Sequence, residues 1–123
     1  KRLLEERSQY VKRRLEELSC NGRIAVFGAG HLSLAFICFN ELTQYVDACF
    51  DDDKNKKGLY LPVGGIPILG SNELSASQYP VCLLGLNPQH HDKIRNKFKS
   101  YLEEGGSMFS IFPDSDGEGQ HLL

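Results

Sequence analysis

The fold of this chain is decided by the stretch Arg23-Ile24-Ala25-Val26-Phe27-Gly28-Ala29-Gly30-His31. Its apolar run predicts a buried strand, its two glycines predict a tight turn, and the pattern beyond His31 predicts a helix. A second apolar run ends at Asp51, which follows the glycines at about 20 residues, the spacing expected for an acid that binds a ribose. This order of strand, glycine turn, helix, strand and acid is typical of a Rossmann-type unit that holds a nucleotide.

The glycine turn has a chemistry that suits a phosphate. Gly28 permits the tight turn, Gly30 lets the backbone approach a phosphate closely, and the helix that starts at His31 points N–H groups and its positive dipole end at an anion. Ser33 stands at the third glycine position of the dinucleotide fingerprint and is small enough for close packing. A tight turn without any ligand, with Asp51 simply beginning the next loop, is the alternative interpretation.

Length and composition describe an ordinary single domain of 123 residues. The net charge of −2 argues against a nucleic-acid partner, and no apolar stretch approaches the ~20 residues needed to cross a bilayer, so no membrane partner is expected. The four cysteines lack metal-ligand spacing, so no metal site is predicted. Cys38, Cys49 and Cys82 lie in apolar runs, which predicts buried thiols in a reducing, cytoplasmic compartment.

The chain divides into three predicted segments. Residues 1–22 form an amphipathic helix that covers the domain's own sheet, connects to a preceding domain or makes a dimer contact. Residues 23–113 form the Rossmann-like domain that binds a nucleotide or nucleotide-sugar, and residues 114–123 form a polar, mobile tail. Because a charged helix begins at once at Lys1, we expect the sequence to be a piece of a longer protein. The apolar stripe of the helix consists of Leu4, Val11, Leu15 and Leu18.

Strands alternate with helices after residue 22, which predicts a three-layer αβα sandwich of the α/β class. The strands are expected at 23–27, 45–50, 66–69, 81–84 and 108–112, in a five-stranded parallel sheet of order 3-2-1-4-5. The first helix is expected over residues 31–42, a solvated loop over 51–58 and an irregular run over 59–65. A crevice then opens between the carboxyl ends of the first and fourth strands, where the winding direction reverses. The residues expected to reach it are Gly28, Gly30, His31, Asp51, Asp52, Gly85, Asn87 and Gln89.

Some residues near the crevice have a simpler structural explanation. Asn87 precedes Pro88 and suits the N-cap of the next helix. His90 and His91 fall in the first turn of that helix and are expected to be solvated. No Ser/His/Asp arrangement for nucleophilic catalysis is visible in the sequence, so no catalytic residue is assigned.

The segment after the second strand resembles a family signature. The C-terminal domain of sugar C-methyltransferases carries a lysine/glycine, tyrosine-leucine-proline-glycine, isoleucine-proline-isoleucine pattern, which is similar to Lys57-Gly58-Leu59-Tyr60-Leu61-Pro62-Val63-Gly64-Gly65-Ile66-Pro67-Ile68. The resemblance covers most of the chain, because the leading helix and three further features fall in the family's order. These are Asp51, Leu83-Leu84-Gly85-Leu86-Asn87 and Gly105-Gly106-Ser107-Met108-Phe109.

The resemblance implies a function for the fragment. Enzymes of this family modify nucleotide-linked deoxysugars with S-adenosylmethionine, which binds in a middle domain that this sequence lacks. The fragment would then be the C-terminal lobe that holds the nucleotide-linked sugar, next to a preceding methyltransferase domain of the same chain, with no cofactor and no catalysis of its own. The residues assigned to this site are Gly28, Ala29, Gly30, His31, Asp51, Asp52, Tyr60, Gly85 and Asn87, with Tyr60 covering a base or sugar.

Alternative functions remain open from the sequence. An NAD-binding or redox-sensing module would use Asp51 to read the adenosine ribose. A structural domain without a ligand would use the helix at residues 3–19 to form a homodimer or to dock. The acetyltransferases that act on amino-sugar nucleotides have an N-terminal lobe with a similar glycine turn, paired acids and Ile-Pro-Ile segment.

Overall fold

The fold is organised around a parallel β-sheet. The computed structural model describes residues 2–112 and 120–122. The strands within these ranges are β1 (Ile24–Phe27), β2 (Ala48–Asp51), β3 (Ile68–Gly70), β4 (Val81–Leu84), β5 (Ser107–Ser110) and β6 (Gln120–His121). They lie in the order β3-β2-β1-β4-β5-β6, and every adjacent pair is parallel.

The order 3-2-1-4-5 predicted for the first five strands is confirmed, and β6 extends the sheet beyond β5. The prediction of a mobile tail over residues 114–123 is wrong for its last part, because β6 pairs with Phe109 and Ser110. Leu122 is 1% exposed, and its N–H donates to the Ser110 carbonyl at 2.9 Å. Burial of Leu122 holds β6 on the sheet, although the strand is too short to show a periodic pattern in the sequence. The rest of the predicted tail, residues 114–119 and 123, lies outside the described residues.

Helices cover both faces of the sheet. They are α1 (Arg2–Ser19), α2 (His31–Phe39), α3 (His91–Lys97) and α4 (Lys99–Glu103). Val26 and Leu83 face a core shared with α1 and α2, whereas Phe27 and Leu84 face a second core shared with α3 and α4. All four residues of β4 are buried, as expected for a parallel strand covered on both sides. The predicted three-layer αβα sandwich is therefore confirmed.

The N-terminal helix packs on its own domain, which was one of the three predicted roles. Val11 and Leu15 are completely buried and join the core beside α2. Two polar contacts flank this packing: Lys12 Nζ lies 3.2 Å from Glu41 Oε1, and the Tyr45 hydroxyl donates to Glu16 at 2.7 Å. The apolar stripe of α1 is thus used within the domain.

Some element boundaries and burial predictions differ from the structure. The helix predicted over 31–42 ends at Phe39, yet Leu42 remains completely buried. Cys38 is exposed, so its predicted burial is wrong, whereas Cys49 and Cys82 are buried as predicted. The reason is helical geometry: Cys38 is one residue, or about 100°, from the buried Ile37 and therefore points away from the core.

The segment before β3 pairs with the β3 region at the edge of the sheet, which the sequence did not predict. The predicted irregular run after Gly58 pairs in the antiparallel direction with the β3 region, through Gly58 N to Ile68 O at 3.0 Å and Leu61 N to Ile66 O at 2.8 Å. This edge leaves Leu59 and Tyr60 exposed. Across residues 2–112 and 120–122, no helix combines the length and apolarity that crossing a membrane requires.

Truncating the buried face of α1 should destabilise the whole domain. Because Leu15 is completely buried, Leu15→Ala should lower the free energy of unfolding by about 2–5 kcal/mol. Glu17→Ala, at an exposed position of the same helix, should change it by less than ~0.5 kcal/mol. Urea denaturation followed by circular dichroism measures both values, and equal small effects would show that α1 is undocked in solution.

The four cysteines should divide into two reactive and two protected thiols. Burial, followed by the negative charge of Asp51, raises the pKa of Cys49 to about 12, and burial raises the pKa of Cys82 further, so neither forms the reactive thiolate at neutral pH. Cys20 and Cys38 are exposed. Alkylation of the native protein, read by mass spectrometry, should modify Cys20 and Cys38 first, and Cys49 and Cys82 only after unfolding. Rapid labelling of all four would contradict this burial.

Candidate functional site

A cleft opens at the carboxyl edge of the sheet, at the crevice predicted between β1 and β4. Its volume is about 770 Å³. The end of β1, the start of α2, the end of β2, the loop after β4 and α3 contribute its walls. The lining residues are Phe27, Gly28, Ala29, Gly30, His31, Leu32, Asp51, Asp52, Lys56, Gly85, Leu86, Asn87, His90, Lys93, Ile94, Asn96 and Lys97.

The glycine turn is held against β2 by hydrogen bonds from two of its backbone N–H groups. Gly28 N–H donates to Phe50 O at 2.8 Å, and Ala29 N–H donates to Asp51 Oδ2 at 2.6 Å. Gly28 has a φ of +106°, a conformation that favours glycine. The turn is therefore fixed by the fold before any ligand is bound.

Gly30 is different, because no contact among residues 2–112 and 120–122 requires a glycine there. Its φ of −102° and ψ of −177° are open to any residue, and a Cβ added to it meets no atom of these residues within 4 Å. Gly30 is the N-cap of α2, and the first N–H groups of a helix lack acceptors within the helix. The position thus leaves open space directly in front of a helix N-terminus.

The missing third glycine of the fingerprint is replaced by a glycine on the facing strand end. Ser33 is completely buried, and its hydroxyl donates to the Gly85 carbonyl at 3.1 Å. A Cβ added to Gly85 would lie 2.9 Å from Ser33 Cβ, which is too close for real contacts. The close approach of α2 to β4 is therefore preserved, with the glycine supplied by Gly85 instead of residue 33.

Asp51 stabilises the backbone around the cleft. Its Oδ2 accepts the Ala29 N–H at 2.6 Å, and its Oδ1 accepts the Asp53 N–H at 2.8 Å. Both carboxylate oxygens thus hold the protein's own loops. The ribose contact predicted for this acid stays a prediction.

Asp52 lies across the cleft from α3. Its Oδ1 accepts a hydrogen bond from Lys97 Nζ at 2.6 Å and another from the Ser71 hydroxyl. Partial burial raises the pKa of Asp52, but the hydrogen bonds from Lys97 and Ser71 and the nearby charges of Lys97 and Lys93 outweigh burial and bring that pKa below its usual range. Asp52 is therefore a carboxylate at neutral pH.

Three lysines of the cleft were missed by the sequence reasoning. Lys56 lies in the loop that was predicted to be solvated, yet its Nζ donates to Ala29 O at 3.2 Å. Lys93 and Lys97 lie on α3 and line the cleft. Their spacing of four residues, which places both on one helical face, was the signal that could have found them.

The remaining predicted residues have mixed outcomes. Asn87 lines the cleft and is also the predicted N-cap, since its Oδ1 accepts the Gln89 N–H at 3.1 Å. Gln89 and Tyr60 are not among the described residues that line the cleft, and Tyr60 is 65% exposed on the edge near β3. The other predicted site residues all line it.

The two histidines after Asn87 differ from one another. His90 is exposed and lines the cleft. The prediction that His91 is solvated is wrong, because it is 3% exposed and its Nε2 lies 2.9 Å from the Leu86 carbonyl. A one-residue step around the helix places His91 against the core and leaves His90 outside.

Comparison with solved structures identifies the fold. The crystal structure of UDP-D-quinovosamine 4-dehydrogenase from Vibrio fischeri superposes with a TM-score of 0.56 at 22% identity. The match covers 77% of this chain and 80% of that chain, so the two share a Rossmann-like fold. No curated protein matches the sequence at a significant level.

Comparison with protein families confirms the resemblance seen in the sequence. The family model of the C-methyltransferase C-terminal domain matches residues 2–113. This range includes α1, the strands β1–β5 and the whole cleft lining. The chain therefore belongs to the family of C-methyltransferase C-terminal domains.

Proposed function

We propose that this domain is the substrate-holding lobe of a larger C-methyltransferase and that its cleft binds a nucleotide-linked sugar through the diphosphate. One observation carries the proposal: the open glycine turn, the N-terminus of α2 and three lysine side chains line the same cleft. Backbone N–H groups and ammonium groups are the partners that protein sites use for phosphates. The chain as a whole carries a net charge of −2, so this local excess of cations distinguishes the cleft.

The geometry gives each part of the cleft a task in this proposal. The space in front of Gly30 takes the phosphate nearest α2, where the helix dipole favours negative charge. The ammonium groups of Lys56, Lys93 and Lys97 neutralise the diphosphate from the other walls. The sugar and the base extend from the diphosphate, and Tyr60, which lies outside the cleft lining, has no part in this arrangement.

Methyl transfer is assigned to the rest of the enzyme. We propose that S-adenosylmethionine and the catalytic base belong to a preceding domain of the same chain, so the lobe by itself binds substrate without methylating it. A nucleotide-linked sugar also appears in the name of the solved structure that shares this fold. That likeness supports a fold able to hold such a ligand.

The alternatives have less support from the geometry. An NAD module would use Asp51 for the adenosine ribose, but the two backbone N–H groups that this carboxylate accepts account for its position without a ribose. A homodimer through α1 would need its apolar stripe, but Val11 and Leu15 are buried within the domain.

Ligand binding should depend on the open space at Gly30. Gly30→Val should leave the fold intact, since the backbone conformation is allowed and a Cβ meets no neighbour, but it should fill the phosphate position. We expect about a tenfold or greater loss of affinity for dTDP- and UDP-sugars by isothermal titration calorimetry, equivalent to at least ~1.4 kcal/mol. Gly30→Ser, a small N-cap residue, should lose less. Unchanged affinity in a folded Gly30→Val protein would place the phosphate elsewhere.

The affinity for nucleotide-sugars should depend more on lysines in the cleft than on lysines elsewhere on the surface. Lys93→Met should weaken nucleotide-sugar binding by about tenfold, because a hydrogen bond to a charged group contributes about 1.5–3 kcal/mol. Lys99→Met removes an exposed lysine outside the cleft lining and should change affinity by less than about twofold. The same titrations with NAD and S-adenosylmethionine test the alternatives. Tighter binding of NAD than of any nucleotide-sugar would overturn the proposed function.

A further inference from the structure

An ion pair spans the cleft between two elements that are distant in sequence. Asp52 follows β2, Lys97 ends α3, and 45 positions separate them along the chain. Lys97 Nζ lies 2.6 Å from Asp52 Oδ1, and both residues line the cleft. The ion pair therefore joins two of the elements that line the space proposed for the diphosphate.

The exposure of this ion pair makes it easy to exchange. The side chains of Asp52 and Lys97 are 46% and 49% exposed. Ion pairs at such exposure contribute little to stability, because water and salt screen them. Lys97 can therefore leave Asp52 without a large loss, provided that another anion takes its ammonium group.

Ser71 gives Asp52 a second donor. The Ser71 hydroxyl donates to the same Oδ1 that Lys97 contacts. When Lys97 moves away, the carboxylate keeps one hydrogen bond and need not follow the ammonium into the cleft. Asp52 thus keeps a hydrogen-bond donor whether or not Lys97 is bound to it.

The other charged groups of the cleft lack this arrangement. Lys56 donates to a neutral backbone oxygen, that of Ala29. Asp51 uses both oxygens to accept the backbone N–H groups of Ala29 and Asp53. Asp52 instead pairs its carboxylate with the ammonium group of Lys97, as the phosphate of a ligand would.

We propose that Asp52 takes the place of a ligand phosphate on Lys97 when no ligand is bound and that the diphosphate of a nucleotide-sugar displaces it. This inference rests on the proposed function and adds a competing internal anion to it. A diphosphate must take Lys97 from Asp52, whereas an uncharged sugar cannot. Asp52 therefore weakens binding of every ligand that uses Lys97 and restricts that position to ligands charged enough to displace the carboxylate.

Removal of the Asp52 charge provides the test. Asp52→Asn keeps the shape of the side chain but frees Lys97, so affinity for inorganic pyrophosphate and for a UDP- or dTDP-sugar should increase about three- to tenfold by calorimetry. Asp53→Asn is the matched control, since Asp53 is the exposed neighbouring acid, carries the same charge and lies outside the cleft lining. It should change affinity by less than about twofold.

A double variant separates displacement from general charge repulsion. Lys97→Met alone should weaken pyrophosphate binding, and Asp52→Asn should give a clearly smaller gain in that background, because only the nearby charge of Lys93 then still acts on Asp52. An equal gain with and without Lys97, or an equal gain from Asp53→Asn, would overturn the inference. Melting temperatures of the unliganded variants confirm that each is folded.

The outcomes also distinguish this inference from the proposed function. If the wild-type protein binds a nucleotide-sugar and Asp52→Asn binds it no more tightly, the displacement is wrong and the proposed function stands. If neither protein binds pyrophosphate or a nucleotide-sugar, both proposals fail. If Asp52→Asn binds pyrophosphate or a nucleotide-sugar more tightly than the wild type and this gain requires Lys97, both proposals are supported.

Discussion

The Asp51 carboxylate joins the end of β2 to the glycine turn after β1, and the shape of the cleft depends on this connection. One oxygen accepts the Ala29 N–H and the other accepts the Asp53 N–H. Lys56 then donates to the carbonyl of the same Ala29. A single acid thereby fixes the turn, orients the entry into α2 and brings a cation to the wall.

The close packing of α2 on the end of β4 depends on one contact. Ser33 and Gly85 share one contact, in which a buried hydroxyl donates to a carbonyl at 3.1 Å. A glycine at either position permits α2 to approach β4 closely, and in this protein the glycine is Gly85. This exchange explains why a sequence with an incomplete dinucleotide fingerprint still has the Rossmann arrangement of helix and strand.

The charged residues that line the cleft are three lysines and two aspartates, a formal charge of +1 in a chain whose net charge is −2. Lysines from the loop after β2 and from α3 meet there, and Asp52 offsets one of them. This local positive charge is a property of the cleft and not of the chain as a whole. In the function proposed above, it is what the lobe would supply to the diphosphate of its ligand.

The sequence alone determined the fold class, the order of the first five strands and the family. These follow from local patterns: the apolar runs, the glycine turn with Asp51 at its spacing, and the signature from Lys57 to Ile68. Topology then placed Gly85 and Asn87 at the same crevice as the glycine turn, because parallel strands end at one edge of the sheet.

Only the tertiary structure decided which charged side chains meet in the cleft. Lys56 looked solvated in sequence, and Lys97 is 45 positions from the acid it contacts. Tertiary packing also buried His91 and Leu122 and exposed Cys38, where the local pattern predicted the opposite. The physical reason is that periodicity specifies which element forms, whereas the rotation of a helix on the sheet and the direction of a long side chain depend on contacts from distant parts of the chain.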